Sequence, residues 1–249
     1  MRFSITSFLS LSLALTALLG TSIAQAKTCQ KPIYLTFDTG NMAVAETVAA
    51  VLNRQQVKAT FFLANEKTFR GDYSLDDSWK PFWQDRVKEG HQFGSHTYDH
   101  VYFVKDLSAN SAGDARVQMK PQFGAYANQV KSMNGAEVCA EINRVNTRFQ
   151  ELSNRPLDPI WRAAGGKTSP RLIAMAEQCG YHHIGWAPAG FLGDELNSEK
   201  FPNQALLEKA LQSVNGIKDL RGTANEGNAN IQVFFEFKKN MVEATDEVR

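Results

Sequence analysis

Short apolar runs alternate along this chain with longer stretches whose apolar residues recur every three or four positions. Ile33–Phe37 is a near-continuous apolar run, the kind buried on both faces of a parallel sheet. Ala43–Leu52 has helical spacing, with Val44, Val48, Val51 and Leu52 on one side, and Ala59–Leu63 reads as a second strand. Asp77–Glu89 predicts a helix buried through Trp79, Phe82, Trp83 and Val87, stopped by Gly90. His91–Gly94 then makes a short strand.

Lys105–Gly135 breaks this rhythm. It is rich in Ser, Asn, Gly and Gln and lacks a sustained period, so it reads as a long surface insertion of the sort that forms lids. Helical spacing resumes over Ala136–Leu152 through Val138, Ile142, Val145 and Phe149. Pro159–Arg162 is strand-like and runs into Ala163-Ala164-Gly165-Gly166. Ser169-Pro170 offers a cap followed by proline at the first helical position, and that helix ends at Gly180. His182–Trp186 reads as strand and about Asn203 to Val214 as helix, while Ile231–Phe237 in an otherwise polar terminus reads either as a closing strand or as a foreign terminus left by a truncation or a shifted reading frame. The alternation predicts an α/β parallel sheet or barrel, with active residues at the carboxyl ends of the strands.

Composition adds a compartment. Met1–Ala26 has the parts of a secretory signal: Arg2, an apolar run from Phe8 to Leu19, and Ala24-Gln25-Ala26 as a cleavage site. The run is too short to span a bilayer, so no membrane span is expected after cleavage and the protein is expected to be periplasmic or extracellular. The formal net charge is +1, which gives no support for nucleic acid or an anionic membrane as partner. The three cysteines, Cys29, Cys139 and Cys179, permit one disulfide in an oxidising compartment and leave one thiol over. Cys139 and Cys179 fall on apolar helix stripes and read as small buried hydrophobes.

The candidate chemistry lies in two short stretches. Thr36-Phe37-Asp38-Thr39-Gly40 closes the first strand with a carboxylate beside a glycine. Gly94-Ser95-His96-Thr97-Tyr98-Asp99-His100 holds two of the five histidines four residues apart. On a helix that spacing puts both imidazoles on one face, and a strand-end Asp could meet them at one ion, as metal-assisted hydrolysis requires. Each residue has a plainer alternative: Asp38 as a turn or helix-cap residue, Arg162 as a surface charge at a strand end, His91 as structural. His182 and His183 are adjacent, so at most one faces a site.

Taken together, Thr36–Gly40, His96–His100 and Trp161-Arg162, with the strand Lys58–Phe62 between them, resemble the polysaccharide deacetylase family, the NodB-homology domain, over roughly Lys31–Val214. The resemblance implies an irregular parallel barrel of (β/α)7 type. It also implies a divalent metal, most often zinc, and removal of acetyl groups from an N- or O-acetylated polysaccharide or oligosaccharide. By that likeness Asp38 is the general base, Arg162 orients it and keeps it ionised, and His96 and His100 bind the metal. A main-chain N–H near Gly165 assists the oxyanion. The domains would then be a signal at 1–26, the deacetylase-like domain at 27–220 with its insertion at about 105–135, and a divergent segment at 221–249.

The sequence also departs from that pattern. Where the family usually has a second Asp completing an Asp-His-His triad stands Thr39, and a neutral hydroxyl is a poor zinc ligand. Asp38, Asp99 or an extra water are the alternatives. The usual Pro-Pro-aromatic-Gly after the arginine is Ala163-Ala164-Gly165-Gly166, which leaves the aromatic wall beside the sugar to Trp186 or Phe191. The family's last motif, Leu-x-His, supplies a general acid, and no histidine follows His183. Two expectations therefore stand side by side: a secreted metal-dependent deacetylase, and a catalytically impaired relative that binds a glycan or a protein through the same cleft.

Overall fold

The computed structural model describes residues 34–109 and 113–186 with their side chains, and the backbone of two strands at 217–225 and 228–235. Met1–Ala26, Cys29, Phe191 and the helix expected at 203–214 lie outside the described residues. In chain order the elements are β1 (Thr36–Asp38), α1 (Ala45–Arg54), β2 (Thr60–Leu63), α2 (Lys80–Lys88), β3 (Gln92–Ser95), β4 (Val101–Leu107), β5 (Arg116–Pro121) and β6 (Lys131–Met133). They continue with α3 (Gly135–Ser153), β7 (Ile160–Trp161), α4 (Pro170–Gln178), β8 (His182–His183), β9 (Ile217–Asn225) and β10 (Asn228–Phe235).

The fold is α/β on a parallel sheet, as the alternation implies. Among the described residues, five parallel strands form one sheet in the order β1-β2-β3-β7-β8. Strands β9 and β10 pair antiparallel as a two-stranded sheet. Among the described residues no helix is long and apolar enough to cross a membrane.

Helix α3 carries most of the packing. Its Asn134 cap accepts from the Glu137 N–H while the Glu137 carboxylate accepts from the Asn134 N–H, a reciprocal capping box. Val145, Phe149 and Leu152 pack with Phe61, Trp83 and Phe93 into one core cluster. Val138 and Ile142, on the same helix, join a second cluster with Trp161, Leu172 and Met175. Burying a Phe, Leu or Ile side chain is worth about 1.5–3 kcal/mol, so this one face holds both cores on the sheet. Helix α4 starts as the sequence predicts, with the Ser169 hydroxyl accepting from the Leu172 N–H and proline first.

Three local readings are corrected. The segment expected as an irregular insertion is a three-stranded antiparallel sheet, β4-β5-β6. Val117, Met119 and Pro121 alternate inward along β5 and join Val101 and Phe103 in burial. Helix α1 buries Ala49 and Leu52, while Val44 and Val51 of the expected stripe are exposed. Cys139 and Cys179 are bridged rather than free, with Cα atoms 6.0 Å apart. Cys139 lies within α3 and Cys179 caps α4, and only the packing of these two helices brings them together.

Candidate active site

Three of the five parallel strands, β1, β3 and β7, deliver side chains to one end of the sheet, because the hydrogen-bond ladder runs one residue past each of them. The N–H of Thr39 donates to the Phe62 carbonyl, that of His96 to Leu63, and that of Arg162 to Ser95, at 3.0, 2.7 and 2.8 Å. Asp38, Thr39, His96 and Arg162 are thus fixed at carboxyl ends, where sites on parallel sheets form. The cleft above them is about 410 Å³, with Asp38, Thr39, Glu66, His96 and His100 on one part of its lining and Gly165, Gly166, Lys167 and Trp186 on another.

Arg162 is only 2% exposed, so the surface-charge alternative is excluded. Its guanidinium stacks on Phe62 at 4.1 Å and faces Trp186 at 5.2 Å. Nη1 donates to Asp38 Oδ1 at 2.8 Å and to Thr36 Oγ1 at 2.9 Å, while Nε donates to the Ile184 carbonyl at 3.0 Å. Asp38 is likewise no helix cap, since the N-cap of α1 is Val44 and no side chain caps it. Burial pushes the Asp38 carboxyl above its ordinary value. The charge and hydrogen bond of Arg162, then the charge of His100, pull the other way. The ion pair expected to keep Asp38 ionised therefore acts in the expected sense, and burial outweighs it.

The two imidazoles meet, but not on a helix. His96–His100 is a loop between β3 and β4, and the left-handed φ values of Thr97 (67°) and His100 (47°) fold it tightly. The Thr97 hydroxyl locks it, donating to the His96 carbonyl and accepting from the Val101 N–H. The rings end 4.8 Å apart between centroids. His96 Nδ1 lies 3.0 Å from the Arg162 carbonyl. A carbonyl only accepts, so Nδ1 carries the proton and Nε2 presents a lone pair, 3.7 Å from Asp38 Oδ2. This is how metal-binding imidazoles are held.

The third ligand is another matter. Thr39 Oγ1 accepts from the Ala64 N–H at 2.8 Å and bonds to Glu66 Oε1 at 3.1 Å and the Ala64 carbonyl at 3.2 Å. Asp99 is turned away, with Oδ2 2.8 Å from Arg144 on α3. Among the described residues no group of three or more His, Cys, Asp or Glu side chains is arranged to hold a metal ion. In chemistry the donors fit a divalent cation, two imidazoles with carboxylates beside them; in number the arrangement falls one ligand short.

Gly165 and Gly166 have φ of 64° and 67° and form a turn closed by the Gly166 N–H on the Ala163 carbonyl. Trp186 lies flat against it, and a Cβ on Gly166 would come within 2.0 Å of the indole. His91 is structural: its Nδ1 accepts from the Ala59 N–H at 3.1 Å. His183 Nε2 accepts from the Ala163 N–H at 3.3 Å, and burial, then the charge of Arg162, lower its pKa. Glu66 and Lys167 were not singled out from sequence. The available signal for Glu66 was its place just beyond the carboxyl end of β2.

Residues 25–184 match the family described as polysaccharide deacetylase. The chain is similar to a chitin disaccharide deacetylase of Vibrio alginolyticus, 32% identical over 220 residues, covering 82% of this chain and 50% of that protein. It is also similar to a peptidoglycan-N-acetylglucosamine deacetylase of Listeria monocytogenes, 29% identical over 131 residues, 47% of this chain and 26% of that one. Among solved structures, a family 4 acetyl xylan esterase of Clostridium thermocellum in complex with a cobalt ion aligns with a TM-score of 0.46 and 19% identity. That alignment covers 76% of this chain and 71% of the other. The chain spans half or less of the length of these curated relatives.

Proposed function

This chain belongs to the polysaccharide deacetylase family, and on that premise we propose that it is an exported, metal-dependent hydrolase. It removes acetyl groups, N-acetyl in the first instance, from a cell-wall or extracellular glycan. The observation that carries this reading is the convergence of Asp38, His96 and His100 on one cleft from different elements of the chain, with the buried Arg162 paired to Asp38.

His96 and His100 would hold a divalent cation, zinc in this reading, through neutral imidazole nitrogens. When bound, the cation supplies the Lewis acidity that the side chains lack. Asp38 takes the proton of the attacking water, which bonds to the acetyl carbon. Arg162 fixes which oxygen of Asp38 faces the cleft. A main-chain N–H near Gly165 is aimed at the developing oxyanion, a donor that needs no reorganisation. The C–N bond then breaks, and Asp38 returns its proton to the departing amine. Trp186 supplies the apolar face against which a sugar ring packs.

Thr39, a neutral hydroxyl beside Asp38, favours a second reading, a binding module with little or no turnover. Acetate release from a chitin oligomer and from acetylated peptidoglycan, with and without a chelator, separates the two. Release that is abolished by chelator and by Asp38→Ala supports the hydrolase. Intact glycan binding without release supports the module.

A further inference from the structure

The turn Ala163-Ala164-Gly165-Gly166 carries two successive left-handed glycines, at φ 64° and 67°. Glycine gives up more backbone freedom on ordering than any other residue, so a donor placed here stays aimed only if neighbours hold the turn. Within it, the Gly166 N–H closes on the Ala163 carbonyl at 2.9 Å. From β8, His183 accepts from the Ala163 N–H, and Trp186 covers Gly166. A further contact comes from outside the parallel sheet, from the second residue of β4.

That residue, Tyr102, meets the turn twice. Its backbone forms a parallel bridge with Ala164. Its ring lies against Gly165, where a Cβ would come within 2.9 and 3.0 Å of two ring carbons. The same ring stands edge-on to the His100 imidazole, with centroids 4.9 Å apart and planes at 90°. It is anchored at both ends. The backbone pairs with Lys120 in the β4–β5 ladder, and the hydroxyl donates to Gln122 Oε1 at 3.0 Å. Gln122 is itself tied to the histidine loop, its N–H shared between the Asp99 carbonyl at 3.0 Å and the His100 carbonyl at 3.3 Å. Bare glycine and fixed ring are complementary: the ring occupies the space that a side chain at 165 would take.

Resting on the oxyanion role given to Gly165 above, we propose that Tyr102 is a positioning residue for that donor. Its ring is the spacer that holds the Gly165 turn in place relative to His100. It acts through the turn and moves no proton itself. The antiparallel sheet β4-β5-β6 thereby braces the site from outside the α/β repeat.

Two measurements on the full chain test this, one of them independent of turnover. In amide hydrogen exchange, Tyr102→Ala is expected to speed the Gly166 N–H at least about tenfold while α3 keeps wild-type protection, and Tyr102→Phe, which retains the ring, to stay within about threefold of wild type. With a small activated acetyl ester, Tyr102→Ala is expected to lower kcat by roughly 10–100-fold with KM little changed, because a displaced oxyanion donor is missed in the transition state. Tyr102→Phe is expected to restore kcat. Wild-type exchange at Gly166 in Tyr102→Ala overturns the inference alone. Faster exchange with unchanged kcat also overturns it, because the turn then does not carry the donor. If the wild type releases no acetate, the hydrolase reading falls and the oxyanion role with it, while faster Gly166 exchange still shows that Tyr102 holds the turn. Should Tyr102→Ala lose protection in α3 as well, Tyr102→Leu decides by the same outcomes, since it keeps an apolar side chain on β4 without the ring.

Discussion

The guanidinium of Arg162 lies 2.8 Å from Oδ1 of Asp38 while both side chains are largely hidden from water. The carbonyl of the same arginine fixes the tautomer of His96. One residue at the end of β7 therefore sets the orientation of the candidate base and of a candidate metal ligand together.

Arg162→Ala strands a buried carboxylate. Breaking a buried pair from one side costs about 3–5 kcal/mol, so urea unfolding should show a loss of that size. Asp38→Asn keeps the shape and a hydrogen-bond acceptor for the arginine. It leaves the buried guanidinium without a charge partner and so should also lower the unfolding midpoint, less than Arg162→Ala because the hydrogen bond survives. Acetate release should fall by roughly 10²–10⁴-fold, the range for a lost general base. If Arg162→Ala unfolded like wild type, the pair would be structurally idle.

Among the described residues, the positions of the helices were legible in the sequence because their signals are local. Helix α3 repeats its apolar spacing through Val138, Ile142, Val145 and Phe149, and all four are buried. The three strands between 101 and 133 were not, because only short alternations survive there and a bulge between Phe103 and Lys105 breaks the pattern in β4. For the histidine pair, the spacing was readable and the conformation was not. Positive φ at Thr97 and His100 is imposed by the Thr97 hydroxyl bridge and by β4. The place of Glu66 in the cleft lining was not readable, because the Thr39 hydroxyl it contacts is a neighbour only in space.

The bridge between Cys139 and Cys179 joins positions 40 residues apart and ties α3 to α4. It limits the freedom of the unfolded chain, an effect typically worth about 2–4 kcal/mol. Urea unfolding of the oxidised and fully reduced protein should differ by that amount. A double Cys139→Ser, Cys179→Ser variant should match the reduced protein and gain nothing from oxidation. Equal midpoints in the two redox states would mean that helix packing alone fixes this contact.

His91 makes stability depend on pH. Burial is the largest influence and holds its pKa below the ordinary 6.5, partly opposed by Glu89. Below pH 6.5 the unfolded chain takes up a proton that the folded one refuses, so stability falls with pH until the folded pKa is passed. Above pH 6.5 the contribution is constant. His183, lowered chiefly by burial, adds the same slope, while Glu141 and Asp38, raised chiefly by burial, contribute the opposite one, so the share of His91 must be separated by mutation. His91→Asn keeps an acceptor for the Ala59 N–H and cannot titrate. Its unfolding midpoint should show a shallower decline between pH 6.5 and 5 than wild type, and a parallel decline would assign the effect elsewhere.

Trp186 and Gly166 make the last prediction, which concerns substrate size. The indole lies against the glycine so closely that any Cβ there must displace it, and Gly166 also has a φ of 67° that side chains rarely adopt. If the indole is the face on which a sugar packs, Trp186→Ala should raise KM for a chitin oligomer by roughly 5–30-fold, the equivalent of about 1–2 kcal/mol. A small activated acetyl ester has no ring to stack, so its KM should hardly change. Gly166→Ala should reproduce the oligomer defect by moving the indole rather than deleting it. Should it also slow the small ester, the turn that carries Gly165 has been disturbed, and the oxyanion donor with it. Equal loss on both substrates in Trp186→Ala would instead mean that the ring serves the arginine beneath it, 5.2 Å away, and not the sugar.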